Sequence, residues 1–219
     1  MVLGFVVKVR ARAAAKSALV VAAVAVVGWA LYVAWPRRMR WVQSDLTGKK
    51  YYVKNMPAAA AVADRLAFME LRIREFLVRA REYAPGDHRL ANIARRWNGT
   101  LAETPNDEDV AYSIAKDAIS VCVRGSDGAL EAENTTMFVL LHELAHIATD
   151  KYGHPPEFWA NMRFLLELAE ATGTYKYQDF DSQIISYCGR KLAASPLSCV
   201  KNGACSSELT GKHPKKFPA

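Results

Sequence analysis

From Met137 to Ala148 the chain is apolar at almost every position except His142, Glu143 and His146. An apolar run of this length is a helix buried on nearly all sides. Asn134, Thr135 and Thr136 just ahead of it offer side-chain oxygens for an N-cap. Burying two imidazoles and a carboxylate is costly unless something satisfies them. Residues four apart on a helix lie about 40° apart around its axis, so His142 and His146 project from one face and can grip one metal ion. Glu143 sits on the neighbouring face, where its carboxylate can reach a water on the metal and act as a general base. The run His142-Glu143-Leu144-Ala145-His146 therefore reads as a hydrolase metal site with Zn²⁺ as the expected ion.

A catalytic zinc takes three protein ligands and leaves one position open. His154 is the expected third ligand. Gly153 suits a left-handed helix stop, and Pro155 and Pro156 suit the first turn of a new helix, so a histidine between them can swing back over the first two. Glu167 and Glu170 on the following helix are the rivals, although an amphipathic helix ordinarily carries such residues on its solvated face. Tyr175, Tyr177 and Tyr187 are candidate donors to an oxyanion, with nothing in their spacing to select one. His88, after the turn at Pro85-Gly86-Asp87, reads as a surface histidine.

The stretch HELAHIATDKYGHPPEFW, from His142 to Trp159, resembles the core of the WLM and SprT-like zinc metallopeptidases. Their pattern is HExxH, a short variable spacer, then a third histidine followed by a small segment and Phe or Phe-Trp. Here those positions are His142, Glu143, His146, His154, Phe158 and Trp159. The resemblance covers residues 107 to 172. It implies peptide-bond hydrolysis, often of protein crosslinked to DNA. The segments TYKYQDFD and SYCGRKLAASPL are also similar to HELAH-bearing proteins of large DNA viruses and some of their hosts.

Ser17 to Pro36 carries no charge, and at about 1.5 Å per residue a helix of that length matches the roughly 30 Å of a bilayer core. Trp29, Tyr32, Trp35 and Trp41 gather toward one end, as an interfacial aromatic belt would. The run is longer than a signal-peptide core. The expectation is thus a single-pass membrane protein with the lipid bilayer as a partner. Flanking charge leans slightly toward a cytosolic C-terminal domain. Cys122, Cys188, Cys199 and Cys205 permit disulfides, which points the other way, to an oxidising compartment.

The net charge of +7 is local to the N-terminal region. Residues 1–54 hold ten Lys or Arg against Asp45 alone, whereas residues 55–200 hold 15 basic against 20 acidic side chains. A domain built to sit on DNA needs the opposite sign, so nucleic acid is not an expected partner and a DNA–protein crosslink protease is the weaker reading.

Elsewhere, apolar residues at steps of three and four from Val62 to Ala80 predict a long helix opening at Pro57, with Arg65, Arg72, Arg79 and Arg81 on its solvated face. A short helix over 89–98 and an acidic loop follow. Val110–Ala115 and Ala118–Arg124 then read as a hairpin whose exposed edge can bind an extended peptide beside the metal. The fold class expected is α+β, a minimal zincin-like domain with a small antiparallel sheet over residues 57–200. A basic segment (1–16), a transmembrane helix (17–36) and a basic linker (37–56) precede it, and a basic flexible tail (201–219) follows. The function expected is a membrane-anchored zinc metallopeptidase acting on a polypeptide, with a non-catalytic membrane or virion scaffold as the alternative.

Overall fold

The computed structural model describes residues 38–105, 109–125, 127–198 and 201. The first elements are an antiparallel hairpin, β1 (Met39–Gln43) and β2 (Lys50–Lys54), inside the stretch expected to be a linker. Alternation decides its faces: Tyr51 and Val53 are buried, while Trp41 and Tyr52 stack across the strands on the outer face with ring centroids 5.2 Å apart. Helix α1 (Ala59–Tyr83) covers the hairpin, and Val62, Leu66, Met69, Ile73, Phe76 and Ala80 are all buried, as their spacing predicts.

Three of the arginines on the other face of α1 are not simply solvated. Arg65 donates to the carbonyl of Glu131 at 2.7 Å, Arg72 to that of Thr174 at 2.6 Å and Arg79 to that of Thr172 at 3.0 Å. Thr172 is the C-cap of a later helix, whose carbonyl has no partner within that helix, and Thr174 lies two residues beyond it.

After the short helix α2 (His88–Arg96) comes a three-stranded sheet of β3 (Thr100–Glu103), β4 (Ala111–Ile114) and β5 (Ala118–Val121), in the order β3-β5-β4. Strands β4 and β5 form the expected antiparallel hairpin, but β3 runs parallel to β5, so the sheet is mixed rather than antiparallel. Residues 100–103 read as loop because the strand is short and ends on a glutamate. That glutamate is buried against Arg124, whose guanidinium meets the Glu103 carboxylate at 2.7 and 3.1 Å and also donates to the carbonyl of Pro57 at 2.6 Å. The other side of the Glu103 carboxylate accepts the Lys54 N–H at 2.6 Å. One ion pair thus ties β2, β3, the end of β5 and the approach to α1.

Two helices, α3 (Glu133–Ala148) and α4 (Pro156–Ala171), pack on one another, α3 also against β4 and β5, and a second hairpin, β6 (Ile185–Tyr187) and β7 (Arg190–Leu192), follows them. A disulfide joins Cys122, just past β5, to Cys188 in the turn of that hairpin. Cys199 and Cys205 lie outside the described residues.

The expected membrane-anchored architecture and single-pass membrane location are corrected. No helix among the described residues is long and apolar enough to cross a membrane. The segment 17–36, on which that reading rested, lies outside the described residues. The described fold is an α+β domain with small sheets.

Replacing Glu103 by Leu alone strands the guanidinium of Arg124, whose side chain is 2% exposed, and is expected to cost about 3–5 kcal/mol in urea unfolding. The double replacement Glu103→Leu, Arg124→Met is expected to recover most of that loss, because no buried charge is left unpaired.

Candidate metal centre

Helix α3 begins at least two positions earlier than its polar residues suggest. Ala132 is the N-cap and makes no side-chain cap bond, while Thr135 and Thr136 lie inside the first turns. The Thr136 hydroxyl donates back to the carbonyl of Ala132 at 3.0 Å, and Asn134 instead pairs with the backbone of Lys176, donating and accepting at 2.8 Å. The C-terminal end is held by donors from three directions. Arg96 donates to the carbonyl of Ile147 at 2.9 Å, Asn92 to that of Ala148 at 3.3 Å, and the Lys116 ammonium to those of Thr149 and Asp150. Cationic donors at a helix C-terminus meet both its orphan carbonyls and its dipole.

Beyond the helix the chain turns at Gly153, whose φ of +78° is the left-handed conformation glycine adopts at least cost. Pro155 then caps α4 and Pro156 opens it. This reversal carries His154 back over α3. Its Nε2 lies 3.2 Å from Nε2 of His142, which in turn lies 3.2 Å from Nε2 of His146. Two nitrogens each about 2.0–2.1 Å from a tetrahedral zinc are roughly 3.3–3.4 Å apart, so this donor set fits one ion. Among the described residues, His142, His146 and His154 are the His, Cys, Asp or Glu group able to hold a metal.

The three rings share a backing that spacing alone did not reveal. Phe158 is fully buried and its ring centroid lies 4.8 Å from His142, 4.3 Å from His146 and 4.6 Å from His154. Trp159 stacks on His154 at 5.5 Å. The sequence marked Phe158 as a position where the WLM and SprT-like pattern also carries Phe, and did not show its contact with the three rings. The signal that could have found it is its position, one helical turn after a histidine that must turn inward.

Burial lowers the proton affinity of all three imidazoles. The His142 pKa falls well below its ordinary value, first through desolvation and then through the neighbouring rings; that of His146 falls to about 4, and burial also lowers that of His154. At neutral pH all three are neutral, which is the form that coordinates a metal. Glu143 is buried beside them. Desolvation raises its pKa to about 8 against the opposing effect of a hydrogen bond from the Ser113 N–H. Its Oε2 is buried with no hydrogen-bond partner.

A cleft at His142 and Glu143 is also lined by Val110 and Ala111 at β4 and by Lys191 and Leu192 of β7. The contribution of β6 and β7 was not visible in the sequence. Its only signal is Cys188-Gly189, a turn pair in which Gly fits the second left-handed position and Cys is an uncommon choice for the first.

The remaining candidates lie elsewhere. Glu167 pairs with Arg163 at 3.4 Å and Glu170 with Lys201 at 3.2 Å, on the outward side of α4. The hydroxyls of Tyr177 and Tyr187 donate to Ser198 Oγ at 3.3 Å and to the carbonyl of Cys122 at 2.5 Å, and that of Tyr175 accepts the Gln178 N–H at 3.2 Å. None of the three lines the cleft. His88 is exposed at the start of α2.

The chain belongs to the family of the uncharacterised protein R325 of Acanthamoeba polyphaga mimivirus, to which it is 30% identical over 159 residues, spanning 68% of this chain and 80% of the viral one. It is also 36% identical over 70 residues to uncharacterised protein 042R of Invertebrate iridescent virus 3, covering 32% of this chain and 44% of that protein. Uncharacterised protein 136R of Invertebrate iridescent virus 6 is 32% identical over 68 residues, covering 30% and 38%. Its relatives are thus proteins of large DNA viruses. No protein-family model matches the chain. No solved structure matches it.

Two outcomes follow from this geometry. Phe158→Leu keeps an apolar side chain but loosens the shared backing of the imidazoles, and is expected to weaken divalent-metal affinity about tenfold in a competition titration. In the chelator-treated protein, the folded state keeps the Glu143 proton up to about pH 8, whereas the unfolded chain loses it near the ordinary 4.5. Stability therefore falls as pH rises through that window, by up to about 1.4 kcal/mol per pH unit. Glu143→Gln removes this slope, so urea unfolding of parent and variant at pH 5 and pH 7.5 should diverge; parallel curves would contradict the buried, unpaired carboxyl.

Proposed function

We propose that this member of the R325 family is a zinc-dependent peptidase that cleaves polypeptide by water addition, with His142, His146 and His154 as ligands and Glu143 as the base. The observation that carries the proposal is a group of three imidazole nitrogens able to hold one metal, together with Glu143, which lines the same cleft as His142 and whose buried Oε2 has no partner. An unpartnered carboxylate in a cleft is expensive to keep and is the arrangement general-base chemistry needs. Zinc, when bound by the three imidazoles, supplies Lewis acidity, makes water acidic near neutral pH and favours the ionised form of Glu143.

The chain's own groups divide the remaining work. Glu143 takes a proton from the attacking water at Oε2 as the new C–O bond forms, then delivers it to the departing amine nitrogen as the C–N bond breaks. The Ser113 N–H holds the carboxylate in place. Phe158 and Trp159 fix the imidazole planes. Strand β4 is an edge of its sheet and lines the cleft, so an extended substrate adding to that edge is laid across the centre. The likeness of His142–Trp159 to the WLM and SprT-like peptidases supports the same reading.

The purified full chain is expected to hold one zinc by elemental analysis and to cleave a mixed-sequence peptide library, with activity lost to chelator and restored by zinc. Glu143→Gln is expected to retain zinc and lose about 10²–10⁴-fold in turnover. A metal-free parent, or a variant that cleaves as fast as the parent, would overturn the proposal. Metal retained without any cleavage would instead indicate a binding protein.

A further inference from the structure

Strand β4 pairs with β5 through alternate residues. The Cys122 N–H donates to the carbonyl of Val110 at 2.7 Å, and the register carries the same pairing to Tyr112 and Ile114. The backbone groups of Ala111 and Ser113 are therefore directed away from β5, and the Ser113 N–H reaches Glu143 accordingly. The second hairpin obeys the same rule. Its two-residue turn, Cys188-Gly189, has φ values of 48° and 73°, both left-handed, so the closing pair Tyr187 and Arg190 exchanges backbone bonds. The next pair, Ser186 and Lys191, does not, and the N–H and C=O of Lys191 point out of the hairpin. Strand β7 has β6 on one side only. The residues that carry these two outward-facing edges, Ala111 and Lys191, line one cleft together with His142 and Glu143.

We infer that the substrate is an extended, unfolded polypeptide gripped along both sides, with β7 acting as a second jaw opposite β4. This rests on the peptidase reading and names its substrate class. A strand presents backbone N–H and C=O groups alternately to its two sides, so it can engage both edges at once, whereas a helix has spent those groups internally. The second jaw is also held in place. Cys188 is bonded to Cys122 beside the first jaw, its N–H donates to Glu131 at 2.7 Å, and the neighbouring Tyr187 hydroxyl donates to the carbonyl of Cys122 at 2.5 Å. A hairpin of two short strands has little stability of its own. These three ties keep its edge beside the cleft.

Amide hydrogen exchange on the full-length Glu143→Gln chain, with and without saturating reduced and carboxymethylated casein, tests the inference. The amides of Ala111 and Lys191 are expected to slow about fivefold or more, with little change at Tyr112 and Arg190, whose amides already face partner strands. Lys191→Pro removes the outward N–H from an edge position where proline is tolerated, and is expected to weaken casein binding about fivefold at unchanged zinc content. Protection at Ala111 with none at Lys191, or undiminished binding by Lys191→Pro, overturns the second jaw. Cleavage by the parent without protection at Lys191 sinks the jaw and leaves the peptidase standing; protection at both edges with an inert parent does the reverse.

Discussion

Helix α3 is buried along almost its whole length, and a buried helix leaves its last carbonyls and every polar side chain to be satisfied by its neighbours. Much of the domain is arranged around that requirement. Helix α2 supplies Arg96 and Asn92 to the final carbonyls, and the β4–β5 turn supplies Lys116. The Thr149 hydroxyl donates to Ala145 and accepts from Asn161 on α4, locking the helix end to the helix that carries Phe158. The imidazoles of His142, His146 and His154 converge at their Nε2 atoms. Their nitrogens face one another, which suits a shared cation better than a shared proton.

The elements around the centre are short, and their precision comes from a few long-range ties. The Glu103–Arg124 pair sits where β2, β3 and β5 converge, and Glu131 joins the start of α3 to the β6–β7 turn. These contacts hold the walls of the cleft to the same frame as its floor. A loosely tethered hairpin would leave the opening undefined; here the hairpin that carries β7 is covalently fixed, through Cys188, to Cys122 just past β5.

The floor of the site was legible because its signals are local. A four-residue spacing, a glycine stop and two prolines place three histidines together without knowledge of the rest of the fold. The walls were not. Strand β3 is short and ends in a glutamate whose burial makes sense only beside Arg124, and that pairing is invisible in sequence. Asn134, Thr135 and Thr136 imitate an N-cap, yet Asn134 is claimed by Lys176 far along the chain. Arg72 and Arg79 look like surface charges, but the carbonyls they serve, at and just past the cap of a later helix, are brought near only by the tertiary structure. The expected bilayer span rested on the length of an uncharged run and the aromatic residues toward one end of it; that run lies outside the described residues, and no helix among the described ones is long and apolar enough to cross a membrane.

The disulfide has a topological consequence. Every residue from His142 to Trp159 lies within the loop closed by Cys122 and Cys188, which are 66 positions apart. A single backbone break anywhere in that loop leaves the two pieces joined as one covalent molecule. Should such a centre ever cut its own chain there, the nicked product would run as an intact protein until it was reduced, with its ligands still tethered to both halves of the fold.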